Sequence, residues 1–365
     1  MASDTTPERD MSSRAALVEF FSRSLTAFQS SKDSFRVVCT LSRHDAAAAR
    51  PVPRPPREQR PPRRVRRLVV LDSSFNPPTL AHLRMAVSAV RDLRRRSSSS
   101  GGGGRGSREE EEAVRLLLLL AVNNADKKPQ PAAFPVRLGM MHAFARELLD
   151  ELPRAAPSSL AEGGEEEDED EDEEEEVGVE VDLGLTTMPY FHDKSQAISD
   201  AGFYAADGEG PEQVYLAGYD TLVRIFNPKY YNDVAASAAA AQPPRPSSSG
   251  AGDEGGGAVT PPIRGALDPF LERSRLRITM RADDEWGDEA EQAAHLERLR
   301  EGGLEAVGGR PAWAERVEMV RGVGEVVSST RVRRAAREGD EEALGRMVGA
   351  RVKEWVLGEG LYREE

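Results

Sequence analysis

The chain is nearly devoid of cysteine: Cys39 is the single one among 365 residues. That excludes an internal disulfide and any multi-cysteine metal site, and it suits a reducing compartment. Long apolar runs are missing as well. None approaches the roughly 18 residues of a membrane span, and the opening MASDTTPERD lacks the basic-then-apolar order of a secretory signal. A soluble protein of the cytoplasm or the nucleus is expected, with no membrane partner. Positive charge is outnumbered by negative, the formal net charge being −14, which on its face disfavours nucleic acid and phosphate. Yet twelve consecutive carboxylates at 165–176 supply all but two of those charges, so the remainder is nearly neutral.

Four stretches lack the apolar residues needed to offset the entropy of ordering a chain. They are a Pro/Arg-rich segment at 43–67, a Ser/Gly-rich and then acidic one at 97–112, the acidic tract within 157–176, and an Ala/Pro/Ser/Gly segment at 235–258. They read as disordered low-complexity insertions or linkers. The Arg-rich segment also fits a nuclear localisation element or a basic arm, and the acidic tract a docking site for basic proteins; solvated spacers are the plainer reading of both. The organisation that follows is an N-terminal helix (14–28) and apolar run (35–41) packing on the core within 1–42, a linker at 43–67, and one α/β domain at 68–365.

Within that domain strands and helices alternate. Residues 68–71 form a buried-type strand, and Leu83, Ala86, Val87 and Val90 then recur at helical spacing behind Thr79, the expected N-cap. The apolar run 116–122 suits a central parallel strand. A helix at 137–149 carries Leu138, Met141, Ala145 and Leu148 on one side. Weak alternation marks a strand at 177–183, and further strands are expected at 213–216 and 276–280, one or two within 316–327, then a terminal pair of helices. This pattern predicts a doubly wound parallel α/β sheet, whose ligands bind beyond the carboxyl ends of the strands.

Three polar signatures fall at such ends. After the first strand comes SSFNPPTLAH, which places His82 in the first turn of a helix, where the dipole and the imidazole can face a phosphate. Near the end, VVSSTRVR at 326–333 offers three hydroxyls and Arg333, a second anion site. Between them lie NNADKK at 123–128, with Lys127 or Lys128 able to meet a phosphate, and LAGYDTLVRIF at 216–226. There Gly218 permits close backbone approach, and Asp220 caps the next helix or binds a ribose hydroxyl. Alone, each also fits a plainer role: a proline turn with a surface histidine, a Ser-capped helix, a solvated lysine, a strand-to-helix turn.

Taken in order, the motifs resemble the nicotinamide-nucleotide adenylyltransferase family of the nucleotidyltransferase superfamily. Its first turn, of the GSFNPxTxxH type, is matched by residues 73–82, and its ISSTxxR-type last motif by residues 327–333. Lys127, Arg137, the station Gly218, Asp220, Leu222 and (one place displaced) Phe226, and Arg281 look like the intermediate positions. The match spans about 68–337 outside the insertions. Ser73 stands where glycine is usual, so the nucleotide must tolerate a side chain there. The Trp-centred segment that stacks the nicotinamide ring reads here TTMPYFHDKSQAI, leaving Tyr190 or Phe191 as substitutes. The SSFNPP turn is similar to that of the divergent fungal branch.

The resemblance implies a Rossmann-like nucleotidyltransferase fold and transfer of the adenylyl group of ATP to nicotinamide mononucleotide, giving NAD and pyrophosphate. His82 and Arg333 would be catalytic. Ser73, Ser74, Phe75, Thr79, His82, Gly218, Asp220, Ser328, Ser329, Thr330 and Arg333 would bind ATP; Ser74, Asn76, Lys127, Tyr190, Phe191 and Arg281 would bind the acceptor. Mg²⁺ would arrive with ATP, because no protein cage for it is evident. The substrates are then the partners, and no nucleic acid is expected. Two alternatives stay open: the same phosphate machinery acting on another acceptor or hydrolysing ATP, and a non-catalytic nucleotide-binding scaffold. Oligomeric state is not legible, since no heptad or self-complementary patch can be read.

Overall fold

In the central strands, alternation alone decides which side of the sheet each residue covers. In β2 (Val65–Asp72), Val69 and Leu71 join one hydrophobic cluster while Leu68 and Val70 join another on the opposite face. In β3 (Ala113–Ala121), Leu116, Leu118 and Leu120 go one way and Leu117 and Leu119 the other. A leucine run with no polar partner is what a strand buried on both faces requires. The structure, a computed structural model, describes residues 7–43, 53, 64–99, 113–122, 132–152, 178–231, 261–281, 286–322 and 327–363. The expected insertions at 157–176 and 235–258, and Lys127, lie outside the described residues.

The remaining strands are β1 (Phe35–Leu41), β4 (Val181–Thr186), β5 (Glu212–Gly218), β6 (Ser274–Thr279) and β7 (Val317–Val320). Their order in the sheet is β1-β4-β3-β2-β5-β6-β7, with β1 antiparallel to β4 and every other pair parallel. From β2 the chain moves outward through β3 to β4, then returns to β5 on the other side of β2. The reversal opens a crevice between the carboxyl ends of β2 and β5. Helices Leu80–Ser99 and Phe134–Glu151 cover one face, joined there by the N-terminal helix Pro7–Gln29 through Leu17, Phe21, Leu25 and Phe28. Helices Phe191–Asp200 and Pro262–Arg273 cover the other with Ala197, Ile198, Leu267 and Phe270. Helix Ser329–Glu338 returns to the first face through Val332 and Ala336.

Several elements differ from the sequence expectation. β2 begins at Val65, inside the segment read as linker, because Val65 is buried and pairs with Ala113 while Arg67 reaches Glu212. The helix expected at 137–149 starts at Phe134, since a proline in its first turn forfeits no hydrogen bond. Helix Leu80–Ser99 runs three residues into the stretch 97–112 expected to lack structure. Among the described residues 316–327 hold one strand, and three helices rather than two follow it: Ser329–Glu338, Glu341–Met347 and Ala350–Gly358.

The strand placed at 177–183 is β4, later than weak alternation suggested and one residue shorter. Its Asp182 is fully buried and looks wrong for a core strand. The charge is answered by Arg115 Nε at 2.5 Å, Thr40 Oγ1 at 2.5 Å and Tyr204 Oη at 2.8 Å. A buried carboxylate with that many donors is tolerated; stripped of one partner it would cost about 3–5 kcal/mol.

Candidate active site

The segment leaving β2 is held by its own apolar residue. Phe75 adopts φ 45°, in the left-handed region, and its ring is fully buried against Phe144 (centroids 6.4 Å apart) and His82 (5.7 Å). The side chain expected at ATP is therefore an anchor in the core. His82, third in its helix, turns back so that Nδ1 accepts the Thr79 N–H at 3.0 Å, the contact a capping-box glutamate makes. Because Nδ1 accepts, the proton of the neutral ring resides on Nε2, which donates to Ser73 Oγ at 3.0 Å. Burial lowers the His82 pKa to about 4, so near neutral pH the ring is uncharged. Local sequence thus fixes both the tautomer and the direction of its N–H. Ser74 is half-buried and has no hydrogen-bond partner among the described residues.

The last motif docks directly on this turn. Ser328 caps helix Ser329–Glu338, its side chain accepting from Arg331 N at 3.3 Å. Ser329 Oγ donates to Pro77 O at 2.8 Å, and Arg333 Nη1 donates to Asn76 O at 2.8 Å, across 252 and 257 residues of chain. Arg333 Nη2 also reaches Thr330 Oγ1 at 3.2 Å. Two helix N-termini and a guanidinium therefore converge beside the imidazole. Ser329 spends its hydroxyl on this clamp, leaving its backbone N–H for an anion. Asn76, expected at the acceptor, is 2% exposed, and its Oδ1 accepts from Tyr362 Oη at 2.8 Å, so it braces the turn. Arg137 lies inside helix Phe134–Glu151 rather than at its start; burial, then the nearby Arg333 charge, lower its pKa.

On the far side of the crevice, Gly218 is the N-cap of helix Tyr219–Ile225, and a side chain there would strike Asp220 Oδ1 at 2.8 Å. Asp220 itself is not the cap. It sits in the first turn and pairs with Arg281 Nη1 at 3.6 Å, which unites two of the expected site residues. At the end of β4, Tyr190 is half-buried and stacks on His192 with centroids 5.6 Å apart. Phe191 instead packs edge-on against buried Tyr215 at 5.4 Å, so the two expected stacking residues part company. Lys194 is buried, its Nζ 5.5 Å from the Phe191 ring, and binds Asp72, the last residue of β2, at 2.5 Å.

Sequence reasoning missed Tyr362, Lys194 and His192. Tyr362 closes the site from the carboxyl tail, and no motif surrounds it. Lys194 and His192 lie in the very segment read as divergent, where only their chemistry could have marked them.

No protein-family model matches the chain. A curated Schizosaccharomyces pombe protein, provisionally named nicotinamide mononucleotide adenylyltransferase, is 30% identical over 285 residues, 77% of this chain and 80% of its own length. The chain belongs to the nicotinamide mononucleotide adenylyltransferase family. Solved structures of other adenylyltransferases are more distant. The Plasmodium falciparum nicotinic acid mononucleotide adenylyltransferase complexed with NaAD has a TM-score of 0.40 and 10% identity, covering 82% of this chain and 98% of that one. A Vibrio parahaemolyticus protein, provisionally named nicotinate-nucleotide adenylyltransferase, has a TM-score of 0.38 and 13% identity, with the same coverage. The topology itself, rather than these distant likenesses, carries the Rossmann-like nucleotidyltransferase fold of this family member.

Proposed function

We propose that the chain transfers the adenylyl group of Mg-ATP to nicotinamide mononucleotide, forming NAD and releasing pyrophosphate. The observation that carries this reading is the clamp of Ser329 and Arg333 on the Asn76–Pro77 turn, which draws both phosphate motifs around His82. A phosphate oxygen of the mononucleotide attacks the α-phosphorus, the bond to the bridging oxygen of the β-phosphate breaks, and pyrophosphate leaves. No protein nucleophile takes part, so the chain contributes alignment and charge stabilisation.

The neutral His82 presents Nε2–H to the α-phosphate, displacing its contact with Ser73. Backbone N–H groups of Ser329 and Thr330 and the remaining N–H donors of Arg333 hold the departing β- and γ-phosphates. Gly218 and Asp220 line the nucleoside side, while Ser74, Lys127, Tyr190 and Arg281 receive the acceptor. Among the described residues no group of three or more His, Cys, Asp or Glu is placed to hold a metal. Asp72 and Asp220, which border the crevice, are paired with Lys194 and Arg281. Mg²⁺ would enter as part of the substrate, bound to the triphosphate.

The test is an assay of purified protein with Mg-ATP and nicotinamide mononucleotide, in which NAD and pyrophosphate should appear in equal amounts. ADP or AMP alone would identify an ATPase or a transferase for another acceptor.

A further inference from the structure

Helix Ala350–Gly358 is fixed near both of its ends by other parts of the chain. Glu147 Oε1, from helix Phe134–Glu151, accepts from Arg351 N at 2.6 Å and Val352 N at 3.3 Å, so a carboxylate meets its positive end. Arg14 Nη1, from the N-terminal helix, donates to Glu354 O at 3.0 Å. Val352, Trp355 and Val356 are buried in the cluster that also holds Phe75. Beyond the helix Gly360 takes φ 57°; its N–H donates to Leu357 O at 3.2 Å, and that of Leu361 to Val356 O at 2.9 Å, the paired bonds of a glycine-ended helix. The chain thus turns back sharply and delivers Tyr362 to the phosphate turn. Tyr362 is 4% exposed with φ 68°, a conformation that a bulky residue keeps only where its surroundings hold it. Asn76 therefore joins two aromatic residues of left-handed backbone: it follows Phe75 in sequence, and its Oδ1 accepts from Tyr362 Oη at 2.8 Å, 286 residues away.

We propose that Tyr362 is a positioning residue for adenylyl transfer: its hydroxyl fixes the Asn76 side chain and so holds the Asn76 carbonyl where Arg333 needs it. The proposal rests on the reading above, in which Arg333 holds the phosphates of ATP. Asn76 faces both ways, its Oδ1 taking Tyr362 and its main-chain oxygen taking Arg333 Nη1. The residue is 2% exposed, so without the Tyr362 hydroxyl Oδ1 becomes a buried acceptor that has lost its donor. Asn76 must then turn toward another donor, and the carbonyl beneath Arg333 moves with it. Burial raises the Tyr362 pKa, so at neutral pH the hydroxyl stays protonated and remains a donor. The carboxyl tail, anchored through Glu147 and Arg14, is in this way a third arm of the clamp.

Tyr362→Phe keeps the ring and removes the hydroxyl. It is compared with wild type for Mg-ATP binding by calorimetry and for NAD formation, both alone and combined with Arg333→Met, after a thermal melt has confirmed folding. The Phe variant should weaken Mg-ATP binding by about three- to tenfold, the range expected for one hydrogen bond, and lower kcat. In the Arg333→Met background the same replacement should change either quantity by less than about twofold, because the two residues act through one carbonyl. An aromatic residue that only supports the fold would give the same factor in both backgrounds. Should Tyr362→Phe be unfolded, Asn76→Ala breaks the same bond from its other end and is read against Arg333→Met in the same way. A folded variant within about twofold of wild type, or equal losses in both backgrounds, overturns the inference while adenylyl transfer stands. A wild type that binds Mg-ATP but forms no NAD overturns the parent reading, and the titrations then decide this one alone; a wild type that does not bind Mg-ATP overturns both.

Discussion

Replacing His82 separates its chemical duty from its structural one, because its two ring nitrogens serve different masters. In the proposed reaction Nε2–H, which donates to Ser73 Oγ in the structure, turns to the α-phosphate, and losing one such transition-state donor costs about 10²–10³ in kcat. Nδ1 meanwhile satisfies the N–H of Thr79 at the helix N-cap, a contact whose loss costs about 1 kcal/mol. His82→Ala should therefore lower turnover by two orders of magnitude or more, yet reduce stability by only about 1 kcal/mol. His82→Gln supplies the side chain that a capping box uses at this position, so it should recover the stability without recovering the rate. Steady-state production of NAD and pyrophosphate gives the first quantity and urea denaturation the second. The pH profile adds a further check: with His82 titrating near 4, kcat should not report a histidine between pH 6 and 8. An Ala variant within about threefold of wild-type turnover, or a Gln variant that regains it, would refute the assignment.

The clamp can be tested from its other end. Arg333→Met should raise the KM for ATP and cut kcat by about tenfold or more, whereas Ser329→Ala, which removes only the bond to Pro77 O, should cost about 1 kcal/mol of stability and a smaller share of turnover. Equal, negligible effects in both assays would dissolve the clamp. Arg115→Leu strands the buried Asp182 and should destabilise the fold by about 3–5 kcal/mol in urea titrations, and a change under 1 kcal/mol would count against the network. His82 and His142 both have pKa values lowered to about 4 by burial, so the unfolded chain binds their protons first as pH falls below its ordinary 6.5. Stability should drop between pH 6.5 and 4, by roughly 2 kcal/mol for each histidine at pH 5, and His142→Phe should remove part of that slope. Denaturation midpoints that coincide at pH 7 and pH 5 would contradict this.

Much of the architecture was legible because it is local and periodic. The leucines of β3 alternate between two faces, and the helices that follow β2 and β3 place their apolar residues at helical spacing, so neighbouring residues settle both. The end motifs were legible for the same reason: His82 reaches Thr79 only three residues away, and Ser328 caps its own helix. β4 was misread because Asp182 looks polar until Arg115, Thr40 and Tyr204 surround it, and those partners come from three other parts of the chain.

By itself, then, the sequence determined a parallel α/β sheet and marked two polar turns, at 73–82 and 327–333, as candidate anion sites. Only the tertiary structure decided that the turns meet, that Phe75 and Asn76 are buried and brace the first of them, and that Tyr362 and Lys194 reach the same place. The physical reason is distance along the chain. A contact spanning 250 residues leaves no periodic trace, since it depends on where the sheet order reverses and not on any neighbour in sequence.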